Sequence, residues 1–156
     1  MVEIRQVQTG KELQCIRAML GEYSGSLEFD LSFQDFDEEI ARLPGDYSPP
    51  EGVLLLAISD GEAAGCVGLR KLDERTCEMK RLYVKPQLRG LGIGRALVET
   101  LIEKTRGMGY TAMLLDTVPS MQIAKALYAS LGFRRISPYR YNPIEGAVFM
   151  ELRLGQ

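Results

Sequence analysis

The chain has 156 residues, 46% of them hydrophobic and 26% charged, with 19 Lys and Arg against 21 Asp and Glu and no histidine. That length fits one domain spanning 1–156, and the composition excludes a disordered or fibrous chain. A formal charge of −2 gives no global basic field for nucleic acid, and the missing histidine removes Ser-His-Asp and Cys-His catalysis, histidine bases and every His-containing metal site.

Val2 to Val7 alternates as a strand does, and Lys11 to Ser24 places Ile16, Met19, Leu20 and Tyr23 on one helical face. From Ala18 to Ala41 there is no cation but seven acids, with a short helix expected at Asp35–Arg42 and a stop at Pro44-Gly45. Val53–Ser59, Glu62–Lys71 and Thr76–Val84 read as consecutive strands. Asp60-Gly61 is a hairpin signal, and Ala63-Ala64-Gly65 marks a bulge. A helix follows at Gly92–Met108, then a buried strand at Ala112–Thr117, a helix at Met121–Leu131 and strands at Phe133–Ile136 and Ala147–Leu154. The order describes one α/β domain with a mixed sheet. Cys15, Cys66 and Cys77 have neither metal nor disulfide spacing and read as free, core-packed thiols; Cys66 and Cys77 could still face each other on neighbouring strands. The longest apolar run, Val53–Ile58, is far too short to span a bilayer, and the N-terminus has no signal-peptide core, so a cytoplasmic protein without membrane association is expected.

Arg89-Gly90-Leu91-Gly92-Ile93-Gly94-Arg95 joins a strand to a helix. Glycines there admit a ligand close to the backbone, and the helix N-terminus offers unpaired N–H groups to an anion. Lys80, Arg81, Lys85, Arg89 and Arg95 fall in a stretch without acids, a local basic patch that suits an anionic ligand. Neither the dinucleotide-binding GxGxxG nor the Walker A pattern is satisfied. A plain tight turn is the alternative.

In context, Leu82-Tyr83-Val84-Lys85-Pro86 followed by Arg89-Gly90-Leu91-Gly92-Ile93-Gly94 resembles the acyl-CoA signature of the GNAT superfamily of N-acetyltransferases. Ala126-Leu127-Tyr128-Ala129-Ser130-Leu131-Gly132-Phe133 resembles the family's second signature, a tyrosine helix ending in Gly-Phe. The resemblance covers roughly 53–136 and implies a mostly antiparallel central sheet flanked by helices, with acetyl-CoA as cosubstrate and no metal. It also implies that backbone groups of Leu82, Tyr83 and Val84 bind the pantetheine arm, that the Arg89–Arg95 turn binds the pyrophosphate, and that the Leu82 N–H serves the oxyanion. The family often has an asparagine where this chain has Met121; Gln122 is a candidate substitute.

Attack of an amine on a thioester requires loss of a proton from the amine and delivery of one to the thiolate. By resemblance, Glu78 stands where the base is often found, on a strand whose alternation would point Glu78 and Leu82 to one face. Tyr128 stands where the general acid is found. The competing readings are a solvated strand carboxylate and a packing tyrosine. An acceptor cleft is implied between the acid-rich stretch, with Phe29 and Phe33, and the Tyr139-Arg140-Tyr141 loop. The acids suit a cationic amine while Arg140 suits an acidic group, so the acceptor is a small-molecule or peptide amine of unspecified charge. No nucleic-acid partner is expected, and a homodimer stays open. The competing class is a non-catalytic acyl-CoA-binding module.

Overall fold

The structure is a computed structural model that describes residues 2–8, 10–26, 36–117 and 122–155. One sheet contains β1 (Val2–Gln6), β2 (Val53–Ser59), β3 (Glu62–Lys71), β4 (Thr76–Val84), β5 (Ala112–Thr117), β6 (Arg134–Ile136) and β7 (Val148–Arg153). Four helices flank it: α1 (Gly10–Ser26), α2 (Phe36–Ala41), α3 (Ile93–Arg106) and α4 (Gln122–Ser130). The spatial order is β1-β2-β3-β4-β5-β7-β6, antiparallel except where β4 meets β5. This is the expected mixed, mostly antiparallel α/β architecture.

Local chemistry sets the pieces. Asp60 and Gly61 both take positive φ, 50° and 83°, the backbone of a type I′ hairpin turn between β2 and β3. Ala57 pairs with Gly65 and Ile58 with Ala63, so Ala64 is an extra residue and the small-residue segment bulges as expected. Strand alternation then feeds two cores. Leu55, Val67, Leu69, Cys77 and Met79 meet Leu97 and Leu101 of α3 and Tyr128 of α4, whereas Leu54, Leu56, Cys66 and Tyr83 meet Ile16, Met19 and Leu20 of α1 and Phe36 of α2. Each such buried aliphatic side chain is worth about 1.5–3 kcal/mol, which is what holds the amphipathic helices to the sheet.

Cys66 and Cys77 therefore lie on opposite faces and cannot bridge; burial pushes both thiols up to about 12. Cys15 is exposed rather than core-packed.

β4 carries a second irregularity that alternation did not reveal. Cys66 pairs with Tyr83 and Gly68 with Lys80, two steps on β3 against three on β4, and Arg81 sits at φ 64°. The bulge resets the side-chain period. Leu82 packs on the α3 side, while Glu78 bonds Arg70 and Tyr139 on the α1 side, so the two residues expected on one face occupy opposite faces. The β4–β5 ladder pairs Thr76, Cys77 and Glu78 with Ala112, Met113 and Leu114, and both strands continue beyond it.

Candidate active site

The turn from Arg89 to Gly92 leads into α3 with Gly90 and Gly92 at φ 84° and 83°, conformations a side chain rarely adopts. Gly92 is the N-cap of α3 and no side chain caps it, so the first N–H groups of the helix are left for an outside acceptor. A Cβ built on Gly90 or Gly92 would meet nothing within 4 Å; the space over the turn is open. Arg95 donates to Ser130 Oγ at 2.6 Å and Arg89 donates through Nε to the Val84 carbonyl at 2.9 Å, which fixes both cations around the turn. These features fit a pyrophosphate: uncapped donors, positive charge and open access. Lys80 and Arg81 do not join this patch. Both are buried, and Arg81 lies on the α1 side, bonded bidentately to Glu39 at 2.7 and 3.0 Å.

Next to the turn, the edge of β4 beyond Glu78 is released from β5. Leu82, Tyr83 and Val84 run along it, with free strand geometry into which an extended amide arm fits as an added strand. Tyr128 reaches the same region from α4. It is buried, its ring 5.6 Å from that of Phe133. Burial raises the Tyr128 pKa above its usual 10, so the phenol is a proton carrier throughout the neutral range.

On the α1 side of the sheet lies a polar cluster. Glu78 is fully buried; its Oε1 accepts from Arg70 Nε at 2.8 Å, and its Oε2 accepts from the Tyr139 hydroxyl at 2.5 Å and pairs with Arg140. It is not the solvated carboxylate that was the alternative. Asn142 donates to Asp116 at 3.1 Å, so the loop carrying residues 139–142 is pinned to both β4 and β5. Lys80, two residues along β4, is 6% exposed, and desolvation with the repulsion of Arg81 and Arg70 brings its pKa down to about 7. Arg70 also lines a polar hollow of about 300 Å³ shared with Gly45, Asp46, Ser48, Glu51 and Lys71.

A wall of this face is built by α2 and by the 3-10 turn Gly45–Tyr47 that follows it. Tyr47 lies flat over β3 at Gly68, where even a Cβ would come within 2.8 Å of the ring. That approach lets the Tyr47 hydroxyl donate to Glu39 at 2.8 Å, and Glu39 holds Arg81, whose guanidinium also stacks 4.9 Å from the Phe36 ring.

Of the residues expected in the site, the structure brings together Glu78, Tyr139 and Arg140 in one cluster, and Leu82–Val84 with Arg89–Arg95 along one strand and turn. Tyr141 is 75% exposed and stands apart. Phe29, Phe33 and Met121 lie outside the described residues, as does the side chain of Gln122. Arg70, Glu39, Tyr47 and Asp116 join the site without having been foreseen. Only strand pairing could have flagged Arg70, since it is opposite Glu78 in the β3–β4 register. No group of three or more Cys, Asp or Glu suited to a metal occurs among the described residues, and no described helix is long and apolar enough to cross a membrane.

Comparison with known proteins matches residues 16–133 to the Acetyltransferase (GNAT) family. An uncharacterised N-acetyltransferase of Schizosaccharomyces pombe is 38% identical over 157 residues, covering 99% of this chain and 96% of its own. An acetyltransferase from Streptococcus agalactiae shares the fold at a TM-score of 0.80 and 20% identity over 98% of both chains. The PaiA N-acetyltransferase of Thermoplasma acidophilum, solved in complex with coenzyme A, does so at 0.77 and 17% identity over 98% of this chain and 99% of its own.

Proposed function

Because the chain belongs to the Acetyltransferase (GNAT) family, we propose that it moves the acetyl group of acetyl-CoA onto an amine by direct attack in a ternary complex. The observation that carries this reading is the β4 edge, free of β5 beyond Glu78 and joined by the glycine turn to the uncapped N-terminus of α3. One end of that path suits a pyrophosphate and the other a thioester.

In this reading the N–H groups at the start of α3 hold the pyrophosphate, with Arg89 and Arg95 beside it. The backbone of Leu82, Tyr83 and Val84 aligns the pantetheine arm. The Leu82 N–H, turned by the bulge, takes the charge that develops on the acetyl oxygen. Tyr128 protonates the departing thiolate: its phenol keeps its proton through the neutral range, and the burial that makes it a weaker acid also raises the basicity of a thiolate formed in the same desolvated site. Glu78 keeps its place as the carboxylate that fixes Tyr139 and Arg140. Glu78 accepts two hydrogen bonds, from Arg70 and from Tyr139, and carries the ion pair with Arg140 as well. A proton accepted there would cancel the charge that holds two guanidiniums, which makes Glu78 a poor acceptor of the amine proton. The buried thiols, held as thiols, offer no acyl-cysteine route.

Release of coenzyme A thiol from acetyl-CoA in the presence of a panel of primary amines tests the proposal. Amine-dependent thiol release is expected. Binding of acetyl-CoA without amine-dependent release from any member of the panel would refute it.

A further inference from the structure

The polar cluster on the α1 side has an unequal charge count. Glu78 is one carboxylate shared between two guanidiniums, Arg70 from β3 and Arg140 from the loop before β7. Nearby, Arg81 is matched by Glu39, and Lys80, whose pKa is brought down to about 7, has Asp116 as a neighbouring carboxylate, so neither adds to the imbalance of two guanidiniums on the single carboxylate of Glu78. Asp46 approaches Arg70 only to 4.0 Å and is 80% exposed, so it offsets little. The surplus is one positive charge, and it falls on the Arg70–Arg140 pair.

Both side chains are partly exposed, 27% for Arg70 and 22% for Arg140, and Nη2 of Arg140 is buried without a hydrogen-bond partner among the described residues. Arg70 faces the 300 Å³ hollow. Each guanidinium has five N–H donors, and contact with Glu78 uses Nε of Arg70 and Nη2 of Arg140. The strain of two like charges around one carboxylate is visible at Arg140, where desolvation and Arg70 together lower the pKa to about 10. A second anion between them would relieve that repulsion and fill the unused donors, and planar forks match carboxylates in a bidentate manner. The excess of one charge suits a monoanion better than a dianionic phosphate.

We propose that the amine acceptor carries a carboxylate, that Arg140 with Arg70 across Glu78 binds it, and that the substrates are therefore amino acids or short peptides with a free carboxyl group. This rests on the acetyl-transfer reading above and narrows its acceptor. The cluster lies where the β4–β5 ladder ends, at Glu78, and in this reading the amine of a molecule held by its carboxylate at Arg140 crosses at that gap between the strands to reach the thioester. Glu39, one of the acids of the acid-rich segment, is already held by Arg81.

The test uses the full chain with saturating acetyl-CoA and matched acceptors: L-alanine and L-alaninamide, β-alanine and β-alaninamide, glycylglycine and its amide, and 2-aminoethylphosphonate. The amide partner of each pair has the less basic amine, so any preference for the acid cannot come from easier deprotonation. A kcat/KM at least about tenfold higher for each acid than for its amide is expected, from charge-assisted hydrogen bonds at one site. In Arg140→Gln the ratio should fall to about one while the KM for acetyl-CoA stays unchanged, and Arg140→Lys should restore part of it. Equal or faster acetylation of the amides, a ratio that survives in Arg140→Gln, or a preference for the phosphonate overturns the inference while leaving acetyl transfer intact. Absence of acetylation with every amine, acids and amides alike, overturns the acetyl-transfer reading and this inference with it.

Discussion

Replacing Lys80 by methionine removes a buried cation while keeping an unbranched side chain of similar reach. In the folded protein Lys80 is 6% exposed, and burial followed by the repulsion of Arg81 and Arg70 lowers its pKa from 10.5 to about 7. In the unfolded chain an ordinary lysine titrates near 10.4. Between pH 7 and about pH 10 the unfolded chain thus binds more protons than the folded one, so stability rises with pH across that window. Below pH 7 both states are charged and the folded state bears the whole penalty; well above pH 10 both are neutral and the penalty is gone. At 1.36 kcal/mol per pH unit the difference corresponds to about 5 kcal/mol between the two ends. Urea unfolding of the two proteins at pH 6 and pH 10 measures it. The stability of Lys80→Met relative to the parent should fall by several kcal/mol from the lower to the higher pH. Loss of the lysine's own partners adds an offset but no slope, which makes the slope the diagnostic quantity. A relative stability that is the same at both pH values would mean that Lys80 is not desolvated, and the electrostatic account of this face would be wrong.

Gly92→Val puts a β-branched residue at φ 83° and a side chain into the open space over the turn; folding should cost about 1–2 kcal/mol, and calorimetric affinity for acetyl-CoA should fall about tenfold or more. Unchanged affinity in the folded variant would remove the turn from the cofactor site. Tyr128→Phe keeps the ring against Phe133 and should leave acetyl-CoA affinity within a few-fold, with kcat in single-turnover reactions down by about 10²-fold. Wild-type turnover would make Tyr128 a packing residue. Since burial raises the Tyr128 pKa, deprotonation of this phenol should cause no alkaline fall in kcat below pH 10, and a fall traced to Tyr128 by its absence in Tyr128→Phe would contradict that environment. Glu78→Gln removes the counter-charge of two guanidiniums and should cost about 3 kcal/mol of stability and raise acceptor KM, with the pH profile of kcat/KM keeping its shape. A changed profile would make Glu78 the base.

Where local chemistry decides the structure, the sequence was readable. β2, β3, β4 and β5 begin and end where apolar alternation, Asp60-Gly61 and Pro86 say they should, and the small residues around Ala64 mark a real bulge. The glycines at 90 and 92 announced the α3 turn because few other residues can hold those angles. The second bulge gave no such sign. Arg81 occupies φ 64° without glycine or asparagine, because Glu39, 42 residues earlier in the chain, clamps its guanidinium from α2. That contact is tertiary, and missing it had two consequences: Leu82 was placed on the face of Glu78, and Lys80 and Arg81 were counted with the phosphate patch. The same limit hid Arg70, whose part in the site depends on a cross-strand neighbour and on a loop almost 70 residues downstream.

The Arg81–Glu39 clamp also bears on how such an enzyme can be altered. Exchange of one partner alone strands a buried charge, at a cost of about 3–5 kcal/mol, whereas coordinated replacement of both by apolar residues can be nearly neutral. A segment grafted in place of α2 would therefore have to bring its own match for position 81, or the bulge beneath it would relax toward regular pairing and, in the proposed reading, carry the Leu82 N–H away from the acetyl oxygen. Residues 36–47 and 80–83 form one exchangeable unit, and drift or redesign that treats the helix as a free-standing specificity segment should yield chains that still bind coenzyme A but have lost the rate.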